Sequence, residues 1–108
     1  MQRAVWISFD LGVRGDYQGM YAWLDSKQAE ECGDSLAYMN YEFEDDLVGS
    51  LVTDLSKAVE VTKKTRIYVI WQEPESHKMK GRFILGGRKA PPWAGYGQSP
   101  EQAVPDEG

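Results

Sequence analysis

Apolar residues in this chain switch repeatedly between a period of two and a period of 3.6, and that switching restricts the folds it can enter. Residues 4–11, AVWISFDL, alternate: Val5, Ile7, Phe9 and Leu11 fall on one side, Trp6, Ser8 and Asp10 on the other. β-Branched and aromatic types dominate, so the run predicts a strand with Asp10 near its C-terminal end. Gly12 and Gly15 bracket a turn, and Asp16 suits the N-cap of a helix. From Tyr17 to about Lys27 the period lengthens, with Tyr17, Met20, Tyr21 and Leu24 on one face and Trp23 flanking it. Gly19 weakens that helix by about 1 kcal/mol relative to Ala, so packing has to support it.

Period two then returns. Residues 28–32 read as a very short strand, Gly33-Asp34 as a tight turn, and Ser35–Phe43 as the partner strand. In that partner Leu36 and Tyr38 oppose Ala37, Met39, Tyr41 and Phe43. A second helix is predicted from about Asp46 to Val59, capped by Asp45 or Glu44, with Leu47, Val48, Leu51, Val52, Leu55 and Val59 as its apolar stripe. Thr65–Gln72 is apolar on both faces and reads as an interior strand; after a turn through Pro74 and His77, Met79–Leu85 returns as another. The order is β-α-β-β-α-β with one strand appended. It predicts an α+β, ferredoxin-like domain over residues 1–86, with both helices on one face of an antiparallel sheet. Residues 87–108, rich in Gly and Pro, read as a strap and tail: the first part lies on the domain and the end is flexible.

Length and composition narrow the class. The chain has 108 residues, enough for one domain, with 42% apolar and 27% charged residues, the mix of a soluble globular protein. The single cysteine, Cys32, excludes an internal disulfide and a cysteine-based zinc site, and reads as a small buried packing residue. Without a signal-type leader or an apolar run of the ~18–20 residues that span a bilayer, a cytoplasmic protein with no membrane partner is expected.

The residues Ile7-Ser8-Phe9-Asp10-Leu11, then Gly15-Asp16-Tyr17 opening a helix that contains Leu24, then Asp34-Ser35 opening a strand, resemble the N-terminal half of the small bacterial Cas2/VapD-like proteins. The resemblance covers roughly residues 4–72. It implies a ferredoxin-like homodimer. For nuclease members it implies an Asp at the end of the first strand that meets its symmetry mate and binds Mg²⁺ or Mn²⁺, activating water against a phosphodiester. The matching position here is Asp10, as catalytic residue and metal ligand. Phe9 stands where Tyr is usual, and 87–97 has no counterpart.

Each candidate also has a structural reading. Asp10 can simply brace the Gly12–Gly15 loop, and Asp16 can simply cap its helix. His77, the only histidine, can act as a base for RNA cleavage beside Lys78, Lys80 or Arg82, or stand idle in an exposed turn. Cys32 has no adjacent base to activate it.

The net charge of −5 argues against a general nucleic-acid coat, yet it is unevenly spread. Residues 1–62 carry four cations against twelve carboxylates (−8), residues 63–93 eight against two (+6), and residues 94–108 three carboxylates (−3). The middle segment holds Lys78, Lys80, Arg82, Arg88 and Lys89 interleaved with Phe83 and Trp93, with Tyr96 just beyond it, the ingredients for binding RNA or DNA. It can instead pair with the acidic half of the chain, or guard a strand edge against aggregation. Trp93 and Tyr96 in the Pro-rich 88–96 stretch are candidate partner contacts, or rings buried where the strap crosses a sheet. Two functions are therefore expected: a nucleic-acid-acting, metal-dependent nuclease, or a non-catalytic dimeric module that captures a protein partner.

Overall fold

The alternating runs become strands and the 3.6-period runs become helices in the computed structural model, which describes residues 1–97. In order these are β1 (Gln2–Asp10), α1 (Tyr17–Ser26), β2 (Glu30–Glu31), β3 (Leu36–Glu42), α2 (Leu47–Ala58), β4 (Arg66–Gln72) and β5 (Met79–Leu85). The strands form one antiparallel sheet in the order β2-β3-β1-β4-β5. The molecule is thus a small α+β fold with two helices on a five-stranded sheet. The expectation of a flexible tail end falls on residues 98–108, outside the described residues.

Alternation decides what the sheet buries. Val5, Ile7 and Phe9 of β1, Ala37, Met39 and Tyr41 of β3, and Ile67, Val69 and Trp71 of β4 form one apolar face. Met20, Trp23 and Leu24 of α1 and Leu47, Leu51 and Leu55 of α2 pack against it in a single core. Trp23, and not Tyr21, completes the buried stripe of α1; Tyr21 is 53% exposed. In β5 a bulge sets Phe83 opposite Tyr68 and Leu85 opposite Ile67, leaving Ile84 unpaired and turned into the core.

The helices approach each other closely, and Gly19 explains how. A Cβ there would lie 2.4 Å from the Ala58 carbonyl oxygen and 2.5 Å from an Asp16 carboxylate oxygen. The helix therefore accepts a poor helix former because only hydrogen fits at the contact. Asp16 caps α1 as expected, accepting from the Gly19 N–H at 2.9 Å. Its second oxygen accepts from the Glu60 N–H just beyond α2, also at 2.9 Å. These two hydrogen bonds hold its carboxyl below the usual carboxylate range, the Glu60 bond contributing most.

Four expectations need correction. Asp46, not Asp45 or Glu44, sits at the N-cap of α2, and its side chain makes no capping bond. The first hairpin strand shrinks to Glu30–Glu31, both exposed. Cys32 is exposed, because the Gly33–Asp34 turn carries it out at the sheet edge beyond the apolar rows. Trp93 and Tyr96 are 71% and 82% exposed, so the strap buries neither ring on its own sheet.

Candidate functional site

With both helices on one face, the opposite face of the sheet is left open. Its residues follow from register. Trp6 pairs with Tyr38 across β1 and β3 and with Ile70 across β1 and β4; Ser8 pairs with Leu36 and Tyr68; Tyr68 pairs with Phe83; Asp10 pairs with Arg66. Trp6, Leu36, Tyr38, Tyr68, Ile70 and Phe83 are all half-buried, neither packed away nor fully wetted. Their rings gather in two pairs. Trp6 and Tyr38 lie 5.1 Å apart, tilted, and Tyr68 and Phe83 lie 4.8 Å apart, edge to face. The row pairing Ile70 with Gly81 makes room for Tyr68, whose hydroxyl sits 2.4 Å from where a Gly81 Cβ would be.

One corner of this face is cationic. The Arg66 guanidinium lies 6.0 Å from the Phe83 ring centre, and that of Arg88 lies 5.4 Å from Phe83 and 5.9 Å from Tyr68. Ser8, Asp10, Arg66, Tyr68, Ile70, Phe83 and Arg88 line a shallow groove there. Arginines stacked on rings keep most of their N–H donors free, and such a fork fits phosphate oxygens.

Asp10 sits inside this corner. One carboxylate oxygen accepts from Arg66 at 3.0 Å, the other from the Gly12 N–H at 3.2 Å. The Arg66 hydrogen bond, then that of Gly12, hold its carboxyl below the usual range, and the Lys89 charge adds to the effect. The loop-bracing role is therefore present, since Gly12 adopts a left-handed φ of 82° while its N–H is tied to Asp10. Each carboxylate oxygen accepts one hydrogen bond and keeps a lone pair, while Mg²⁺ takes several oxygen ligands. Among the described residues no group of three or more His, Cys, Asp or Glu side chains is placed to hold a metal. One chain therefore offers the implied ion the Asp10 carboxylate, and a second copy would have to supply its symmetry mate.

The other predicted residues divide. Arg88 joins the corner, and Lys89 lies near enough to act on Asp10. Lys80 and Arg82 do not join it. They pair with Trp71 and Val69, residues of the helix-covered face, and stand exposed along the sheet edge. Lys78 lies in the exposed turn before β5. None of these three makes an ion pair among the described residues, and cations on an edge strand discourage edge-to-edge pairing. His77 is exposed, at a φ of 60° in the same turn.

Sequence reasoning missed Arg66 as the partner of Asp10, and Trp6, Tyr38 and Tyr68 as a shared surface. It also missed a network on the helix side. The Tyr41 hydroxyl donates to Asp54 at 2.7 Å, Lys27 approaches Asp54 at 3.8 Å, and Lys27 lies over the Trp23 and Tyr41 rings. Burial, and then the Asp54 carboxylate, push the Tyr41 phenol upward, so it stays a neutral donor. Comparison of the chain with family models, with curated proteins and with solved structures finds no match.

Proposed function

We propose that this chain is a small ferredoxin-like protein that binds nucleic acid at the open sheet face, in keeping with its resemblance to Cas2/VapD-like proteins. One observation carries the reading: Arg88 lies over Tyr68 and Phe83, and Arg66 over Phe83, where all four line one groove. Guanidinium forks supply donors for phosphate and rings supply flat apolar surface for bases. The strand order β2-β3-β1-β4-β5 supports the ferredoxin-like assignment, with β5 as the added edge.

In the nuclease form of this reading, Asp10 of each of two copies would hold Mg²⁺ or Mn²⁺, which would activate water against a phosphodiester. Binding alone needs no metal and is the form proposed. The test is oligonucleotide binding by anisotropy at low salt, followed by incubation of the same RNA and DNA with Mg²⁺ or Mn²⁺. Arg88→Glu is expected to weaken binding at least tenfold. Cleavage by the wild type that is lost in Asp10→Ala establishes the nuclease form; absence of binding at low salt removes the reading altogether.

A second reading rests on Trp93 and Tyr96, which stand exposed in the Pro-rich stretch. Large rings left in water are a common anchor for a protein partner. If residues 88–96 capture a partner, Trp93→Ala abolishes capture and leaves oligonucleotide affinity unchanged.

A further inference from the structure

We infer that the open sheet face is a stacking platform for single-stranded nucleic acid. The strand's phosphates lie over the Arg66–Arg88–Lys89 corner, and its unpaired bases run from Tyr68 and Phe83 toward Trp6 and Tyr38. This rests on the nucleic-acid reading and specifies its substrate.

Geometry argues for single strands. The ring pairs occupy adjacent cross-strand rows: Leu36, Ser8, Tyr68 and Phe83 in one, Tyr38, Trp6, Ile70 and Gly81 in the next. Neighbouring strands are about 4.8 Å apart, and rows on one face about 7 Å apart. The two ring pairs are thus offset by two strands and one row, which an extended strand bridges with two or three nucleotides. A duplex hides its base faces in its own stack and offers these rings nothing. Bases splayed from a single strand lie flat on aromatic side chains, whatever their sequence.

Charge complementarity sets the direction and the length. The corner carries Arg66, Arg88 and Lys89 against Asp10 alone, whereas the far side of the face carries Glu30 and Glu42. Phosphates are attracted at one end and repelled at the other, so the footprint is short. Gly81 belongs to the same design: any larger residue would displace Tyr68 from its place across β5.

The test uses the full chain and three probes: a six-nucleotide oligothymidylate, an abasic oligonucleotide of the same length, and a mixed-sequence duplex. The oligothymidylate is expected to bind at least fivefold more tightly than the abasic strand and the duplex. Trp6→Leu and Phe83→Ala are each expected to weaken it about fivefold or more, the loss that one base–aromatic stack carries. Tyr21→Ala, on α1, serves as control and changes nothing; circular dichroism establishes that each variant is folded. If the abasic strand binds as well as oligothymidylate while Arg88→Glu abolishes binding of both, the electrostatic reading survives and the stacking platform is overturned. If neither strand binds at low salt, both fall. Sedimentation that then finds a dimer lost in Trp6→Leu identifies the face as a contact between two copies.

Discussion

At Asp10 one carboxylate joins two elements: one oxygen accepts from Arg66 and the other from the Gly12 N–H. Within a cationic corner the same carboxylate repels phosphate. Asp10→Asn is therefore expected to tighten oligonucleotide binding a few-fold, measured by anisotropy at low salt. A metal-dependent nuclease would instead lose its cleavage in that variant. Asp10 is about half exposed, so its ion pair contributes no more than about 1 kcal/mol to stability. Its carboxyl is held low, so that contribution is complete above the ordinary carboxylate pKa and fades as pH falls through and below it. The difference in Tm between wild type and Asp10→Asn is expected to shrink between about pH 5 and pH 3. A difference that grows over that range contradicts the assignment.

Among the elements, the contact between α1 and α2 is where a local preference yields to packing. Gly19→Ala improves helix propensity by about 1 kcal/mol, yet its Cβ would meet the Ala58 carbonyl at 2.4 Å, backbone that cannot swing aside. Overpacking of this kind costs about 1–3 kcal/mol, so the variant is expected to unfold at lower denaturant than wild type. Equal or greater stability would mean that the helices slide apart freely. Asp16 joins the same elements by accepting from both Gly19 and Glu60. Asp16→Asn can keep the cap but not both acceptors, so thermal melts are expected to rank wild type above Asn and Asn above Ala.

The same level explains what could be read from the chain. Strand and helix periods were legible because each element buries one face, and β1, β3 and α2 carry nearly uninterrupted stripes. Gly19 was visible only as a weakness, since its reason lies thirty-nine residues away at Ala58. The candidate site was half legible. Asp10 announced itself at a strand end, but Arg66 becomes its neighbour only through the β1–β4 register. Sequence distance groups Lys80 and Arg82 with Arg88, although alternation puts them on the other face from Phe83. Cys32 is exposed where its apolar character predicts burial, because that character says nothing about position at a turn.

For the molecule as a whole, an acidic protein concentrates its cations in one segment, and folding then divides that segment again. Part of it guards the exposed edge of β5, and part sets Arg88 beside Tyr68 and Phe83. Among the described residues the core reaches no further than Leu85. Truncation after Gly86 is therefore expected to leave a folded domain whose Tm lies within a few degrees of the full chain's. It is also expected to lose nucleic-acid affinity, because Arg88 and Lys89 go with the tail. An unfolded fragment would show the strap to be structural.

Salt dependence of single-strand binding tests the central claim most directly. Each phosphate neutralised on a single strand contributes about −0.7 to the slope of log affinity against log salt. With two or three cations engaged, the expected slope lies between about −1.4 and −2.1, and Arg88→Ala makes it shallower by about 0.7. A slope near zero, or one that Arg88→Ala leaves unchanged, contradicts a phosphate site at the Arg66–Arg88–Lys89 corner.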